Sequence, residues 1–393
     1  MPKNRPIQSR KPPPRILIGC RLVEALSDVL KGIGAYLQAN QLSWHIQCVD
    51  ADQFSLMLDP AAVQGAISVI GKNARRQVTQ LIESKVPAVN LLQDLSPDIP
   101  SIASDDGAIG QAAATHLLSR GFNSFAYLGV NVSWSVARQK GFATALTAAG
   151  HSYVNCDELA AVPFSELPST ATSRVIRRWI DGLPKPVAVM ACSDTVARIL
   201  LAACEAEQVR VPEDVAILGV DNLVATCELC SVPLSSVAQD FYRMGFESAK
   251  QLQLLLAGRR PPKSPCLVPP GPVVVRRSTD VLVFSDEYVA TAMRLINDHA
   301  EEGISMGDIL RAVPVSRRWL DERFIALVGR TVSQEIRERR AAAVRDLLLQ
   351  TDLSVKQIAL RCGFPSPENM VRFFRTAYGL PPLAYRMQHA TPR

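Results

Sequence analysis

Three short acidic stretches close apolar runs in the first two thirds of the chain: Ser104-Asp105-Asp106, Ser193-Asp194 and Asp221-Asn222. An acid after a buried strand and before a loop or helix either caps that helix or faces a ligand. Carboxylates at strand ends accept paired hydroxyl hydrogen bonds, as a small polyhydroxylated ligand would offer. Arg138 would donate to such a ligand, and Trp134 would supply an apolar face. Asp105, Trp134, Arg138, Asp194, Asp221 and Asn222 are therefore the candidate ligand residues.

A second chemistry lies near the C-terminus. Two stretches share a plan of short helix, turn and longer helix: residues 306–329, with SRRWLDERFIALVG last, and residues 354–379, with SPENMVRFFRTAYG last. Ser316 and Ser366 occupy N-cap positions, and Pro367 stands where a helix accepts proline. Trp319, Leu320, Phe324 and Leu327 stripe one helix, and Met370, Phe373, Phe374 and Ala377 the other. The opposite faces carry Arg317, Arg318, Glu322 and Arg323, then Glu368, Asn369, Arg372 and Arg375. Arginine and asparagine reach phosphates and base edges in the major groove, so two helix-turn-helix units on double-stranded DNA are expected. The stretch 332–350 reads as one long helix, able to hold the two units roughly 34 Å apart, one turn of DNA.

Other constellations carry less. Cys227 and Cys230 are separated by two residues, but a structural zinc site wants four ligands and no second pair lies nearby. Gly32-Ile33-Gly34 falls inside a helical stretch, the wrong context for a dinucleotide fingerprint. The five histidines have no serine or cysteine partner at a strand end. No catalytic role, metal or cofactor is expected.

The elements that must position these residues alternate. Apolar runs at 16–20, 45–49, 65–71, 87–92, 124–130, 186–194 and 215–222 are separated by helical candidates at 23–38, 108–120, 135–149, 170–181 and 195–208. Apolar strands alternating with helices imply parallel sheets covered on both faces. The expected fold is two doubly wound parallel α/β lobes around a cleft, followed by an all-α domain. Residues 1–14 read as a disordered basic tail, 15–279 as the two-lobed core crossed more than once by the chain, and 280–393 as the helical domain.

Charge follows the same division. Residues 304–393 hold 15 Lys/Arg against 8 Asp/Glu, a net +7, while the chain totals +6. The last quarter thus carries the whole positive excess and suits an anionic partner. Nine cysteines without a framework fit reduced thiols in the cytoplasm. No apolar run approaches a membrane span, and the five-residue run ending at Cys20 is too short for a secretory core.

The stretch from about residue 286 to 386, including IALRCGFPSPENMVRFFRTAYGLPPLAYR, resembles the AraC family of transcription regulators. One departure is Pro314, where that family usually has glycine. Proline cannot supply a left-handed turn, so the first unit is expected to be re-angled or to read DNA less than the second. The preceding region is similar to the LacI-type ligand-binding core through Trp134…Arg138-Gln139-Lys140-Gly141-Phe142, Cys192-Ser193-Asp194, Gly219-Val220-Asp221-Asn222, SSVAQDFYRMGFESAKQL and LVPPGPVVVRRSTD. This core followed by an AraC-type domain is the arrangement of the xylose operon regulators. The resemblance implies a sugar effector in the cleft, D-xylose being the sugar of that family, with homodimers on promoter DNA and RNA polymerase as a partner of an activator. It departs at Glu24-Ala25-Leu26-Ser27-Asp28, where the family has aromatic and polar residues. The first region taken alone would also fit a solute-binding protein of a transport system.

Overall fold

The computed structural model describes residues 12–19, 23–70, 75–91, 99–160, 162, 167, 169–260, 264–284 and 286–389. Most of the expected basic tail, and Cys20 at the end of the first apolar run, lie outside these residues.

Two compact units partition the chain. The first takes residues up to Asp105 and Asp240–Pro269, and the second takes Asp106–Gln239 and Pro270 onward. In the first, β1 (Arg15–Gly19), β2 (His45–Val49), β3 (Gly65–Ser68) and β4 (Ala88–Asn90) form a parallel sheet in the order β2-β1-β3-β4. A parallel pair, β5 (Ile102–Ser104) with β11 (Cys266–Val268), continues it through an Asn90–Ser101 bridge. The helices are α1 (Val23–Ala39), α2 (Ala51–Phe54), α3 (Arg75–Ser84) and α10 (Phe241–Leu256). Central β1 and β3 are buried on both faces, whereas edge strand β2 is half-exposed, as its polar His45 and Gln47 allow.

Gly32 proves to be a packing residue. A Cβ there would lie 1.9 Å from the Tyr242 carbonyl oxygen, and one on Gly245 would lie 2.0 Å from that of Val29. The glycines let α1 and α10 touch backbone to backbone, so either side chain would force the helices apart.

The second unit holds a six-stranded sheet in the order β12-β10-β9-β8-β6-β7. Its strands are β6 (Phe125–Leu128), β7 (Val154–Asn155), β8 (Val187–Ala191), β9 (Val215–Asp221), β10 (Ser235–Ala238) and β12 (Val273–Val274). All pairings are parallel except β12 on β10. Its helices are α4 (Asp106–Leu118), α5 (Ser133–Ala148), α6 (Asp157–Ala160), α7 (Thr170–Asp181), α8 (Asp194–Ala206) and α9 (Val224–Glu228). β8 and β9 are wholly apolar and buried up to their last residues, which puts the polar ends at the carboxyl edge of the sheet.

The same unit includes the helices that follow: α11 (Glu287–His299), α12 (Met306–Ala312), α13 (Arg317–Val328), α14 (Val332–Gln350), α15 (Val355–Arg361), α16 (Pro367–Tyr378) and α17 (Pro382–His389). They build two small cores. Ile309, Leu320, Phe324 and Val332 belong to one, and Val344, Leu348, Ile358, Met370 and Phe374 to the other. α14 enters both, so it joins the two helix-turn-helix units as the pattern predicts. Two stripe positions differ from expectation. Trp319 is 37% exposed and meets Tyr288 edge-on, and Ala377 is exposed while Tyr378 packs against Phe374 instead.

Candidate functional site

Arg138 anchors the site in the second unit. It projects from the second turn of α5, and that helix is pressed against α4 by glycines. A Cβ on Gly141 would stand 2.1 Å from the Gly107 oxygen, and one on Gly110 would stand 2.0 Å from the Arg138 oxygen. So close a crossing brings the start of α4 to the guanidinium. Arg138 Nε donates to Asp106 Oδ1 at 2.9 Å, and one terminal nitrogen donates to the Cys192 carbonyl at 2.6 Å. The same nitrogen stands 3.5 Å from Asp221 Oδ1, and the guanidinium lies 4.8 Å above the Trp134 ring.

Burial works against the charge of Arg138, but Asp221 and Asp106 outweigh it, so its pKa rises. Asp221 is pushed upward by burial, against the opposing pull of Arg138 and of Gln239, whose amide donates to the same carboxylate. The backbone here is strained as well, with φ of +112° at Asp221 and +51° at Asn222. Left-handed backbone at non-glycine residues costs about 1–3 kcal/mol each and persists where surrounding structure holds it. It turns the Asp221 carboxylate toward Arg138 at the end of β9.

The other candidates separate. Asp194 is fully buried, and both oxygens are engaged: Ser236 Oγ donates to one at 2.6 Å, and the Leu223 amide donates to the other at 2.8 Å. Ser193 is the N-cap of α8. Burial and the charge of Asp221 lift the Asp194 pKa to about 7, against hydrogen bonds from Ser236, Leu223 and Cys227. Asn222 accepts from Arg276 at 3.0 Å, and its amide donates to Ser236 Oγ. Asp105 belongs to the first unit, where its amide donates to the Val268 carbonyl at 2.8 Å.

Two residues in this cluster, Asp106 and Gln239, escape sequence reasoning. Asp106 sits in the singled-out Ser104-Asp105-Asp106 triplet, but nothing local chooses between neighbouring acids. Gln239 lies one residue beyond β10, and its pairing with Asp221 spans 18 residues. As for the Cys227–Cys230 pair, Cys227 donates to Asp194 and Cys230 to the Thr226 carbonyl. Burial raises both thiol pKa values, and the described residues contain no metal-binding cluster.

In the helical domain the two second helices differ. Ser316 accepts from the Trp319 amide and Ser366 from the Asn369 amide, so both hydroxyls cap their helices. On α13 every arginine is paired: Arg317 with Asp321 at 3.7 Å, Arg318 with Glu322 at 2.8 Å, and Arg323 with Asp286 at 2.9 Å. Asp286 is the N-cap of α11, so Arg323 also ties α13 to that helix. On α16, Arg372 and Arg375 are exposed and have no ion-pair partner among the described residues. Glu368 bonds Ser366 at the helix start, which lowers its pKa, and Asn369 is exposed.

The turns differ too. Gly363 takes φ +63° in the second unit. In the first, the chain is extended at Val313, and the Val315 amide reaches back over Pro314 to the Val313 carbonyl at 2.8 Å. The first turn thus uses no left-handed residue, whereas the second does. The second turn is also clamped, because Arg340 of α14 donates to the Cys362 and Gly363 carbonyls at 2.7 and 2.6 Å.

Paired helix-turn-helix units with basic second helices, carried behind doubly wound units with a polar cluster at their strand ends, define a DNA-binding transcription regulator with an attached sensor core. Family models agree: a periplasmic binding protein-like domain matches residues 114–279 and a helix-turn-helix domain matches residues 309–388. The chain is 34% identical over 369 residues to the xylose operon regulatory protein of Escherichia coli K12, covering 91% of this chain and 93% of that one. It is 30% identical to the protein of the same name from Haemophilus influenzae Rd, covering 92% and 94%. A solved structure of a xylose-binding transcription activator superposes with a TM-score of 0.58 at 30% identity, covering 96% of this chain and 98% of that one. The chain belongs to the family of xylose operon regulatory proteins. The transport-protein alternative is set aside, since the helix-turn-helix domain and these full-length relatives are those of transcription regulators. No helix among the described residues is long and apolar enough to cross a membrane.

Proposed function

We propose that this protein is a cytoplasmic, pentose-responsive regulator of sugar catabolic genes, with D-xylose as its first candidate effector. The observation that carries the reading is Arg138, buried between Asp106 and Asp221 above the Trp134 ring at the carboxyl edge of the sheet. Arg138 donates to sugar oxygens, while Asp221 and Gln239 orient sugar hydroxyls. Trp134 covers the apolar face of the ring. Asp194 and Asn222 hold the Asp221 loop and β10 in place, and Asp105 is the ligand candidate of the first unit. The names of the relatives support xylose as the sugar. On DNA, α16 leads through Asn369, Arg372 and Arg375, with Arg317 and Arg318 of α13 adding backbone contacts. The protein acts as a homodimer, and as an activator it meets RNA polymerase.

Calorimetry with D-xylose, L-arabinose, D-ribose and D-glucose tests the sensor on the wild type and on Asp221→Ala. Binding of one pentose, lost in the variant, is the expected result. If none of the sugars binds the wild type, the sensor reading fails. For the DNA side, Arg372→Ala is expected to weaken promoter binding by about 1–3 kcal/mol with sugar affinity unchanged. An unchanged mobility shift would remove α16 from the reading.

A further inference from the structure

The segment joining the sensor to the helical domain is not a loose tether. Residues 281–284 belong to no helix or strand, and their side chains alternate between two cores. Val281 and Val283 pack against the core of the six-stranded unit, while Leu282 and Phe284 pack against the core of the first helix-turn-helix unit. The alternation fastens two hydrophobic cores with four consecutive residues.

The anchorage on the sensor side is the turn that follows α4. The Val283 amide donates to the Arg120 carbonyl at 2.8 Å, and the Arg120 guanidinium stands 3.5 Å from Asp280. Gly121, at φ +84°, leaves room for the Phe284 ring, which a Cβ would meet at 2.7 Å. One turn back, His116 Nε2 lies 3.0 Å from Thr279 Oγ1, and that hydroxyl bonds Ser235 at 2.8 Å. The opposite end of α4 begins with Asp106, the partner of Arg138. The helix between them has 13 residues, about 20 Å at 1.5 Å each. Its glycine contacts with α5 leave little freedom to bend or slide independently.

We propose that α4 is the coupling element of this regulator. It transmits the state of the Arg138–Asp106 contact to the helical domain through the joint formed by Arg120 and Gly121 with Val283 and Phe284. The proposal rests on the reading of Arg138 as a ligand residue for its biological meaning, but its mechanics do not depend on which ligand binds. Phe284 and Gly121 are positioning residues, acting on DNA recognition only through the orientation of the first helix-turn-helix unit.

Hydrogen exchange by mass spectrometry on the full chain tests this without sugar or DNA. Asp106→Asn perturbs one end of α4, and Phe284→Leu keeps an apolar group in the helical core while removing the ring over Gly121. Transmitted coupling changes exchange by roughly twofold to thirtyfold. Asp106→Asn is expected to change the exchange of 287–299 and 317–328 by a factor in that range. In the Phe284→Leu background the same substitution should leave those segments unchanged. Such non-additivity between sites about 20 Å apart requires a physical connection, which a purely structural role of Phe284 would not produce. Equal effects of Asp106→Asn in both backgrounds would overturn the proposal, and so would no effect in the wild-type background. A D-xylose arm separates the two readings. If the wild type shows the Asp106→Asn effect but no response to D-xylose, the coupling stands and the xylose reading falls.

Discussion

Replacing Arg138 with methionine would expose how the sensor site is balanced. The side chain is 5% exposed and serves two carboxylates and the Cys192 carbonyl. Methionine fills most of the volume but returns no charge, so Asp106 and Asp221 would remain buried without their cation. Breaking a buried pair in this way costs about 3–5 kcal/mol. The loss should depend on pH. Burial already holds the Asp221 pKa above its ordinary value, with Arg138 opposing the rise, and removing Arg138 raises it further. A native state with a raised carboxylate pKa binds more protons than the unfolded chain, so its stability increases as pH falls. Every tenfold gain in proton affinity is worth about 1.4 kcal/mol. Urea unfolding followed by circular dichroism at pH 7 and pH 5 measures both effects. The variant should lie several kcal/mol below wild type at pH 7, and the gap should narrow at pH 5. A deficit under about 1 kcal/mol, or one that ignores pH, would refute the view that Arg138 neutralises a buried acidic pair.

Two further outcomes follow from the same geometry. His116 is buried, and burial, then Arg120 and Arg339, hold its pKa well below 6.5. Its neutral form therefore contributes stability above about pH 6.5 that is lost as the pH falls below that value. His116→Gln should flatten the acid limb of a urea-midpoint profile between pH 7.5 and 5, and an unaltered slope would count against it. In the helical domain, Gly363→Ala should cost about 1–3 kcal/mol, because φ is +63° and a Cβ would stand 2.6 Å from the Glu302 oxygen. Pro314→Gly should cost only about 0.4–1 kcal/mol, through the unfolded chain, since the first turn uses no left-handed residue. Thermal melts showing equal losses would contradict the different construction of the two turns.

Short-range pattern was enough to read much of this molecule. The seven runs became strands, six of them because a buried parallel strand needs a largely apolar sequence and β2 as a half-exposed edge. Thr170–Asp181 is helical over the whole span read from periodicity, and Ser316 and Ser366 cap where their side chains can reach the third amide. The short strands β5, β7, β10, β11 and β12 lie outside those runs and escaped the reading. The basic repeat and the acids at strand ends were legible for the same local reason.

Tertiary packing decided what those residues touch. The sequence offers Asp105 and Asp106 as equals, and only the glycine-tight crossing of α4 and α5 selects Asp106 for Arg138. Asp194 and Asp221 look alike at their strand ends, yet one is sealed beneath Ser236 and Leu223 while the other is turned by strained backbone toward Arg138. Arg323 and Arg372 stand on equivalent helices, but a contact across 37 residues pairs Arg323 with Asp286. Residues 281–284 fall at the start of the helical domain in the sequence, and nothing in four residues announces that two cores will close on opposite sides of them. Periodicity is a property of neighbours along the chain. Partnership across roughly 30 to 160 residues is fixed only when close packing leaves one arrangement that satisfies every buried charge and hydrogen bond.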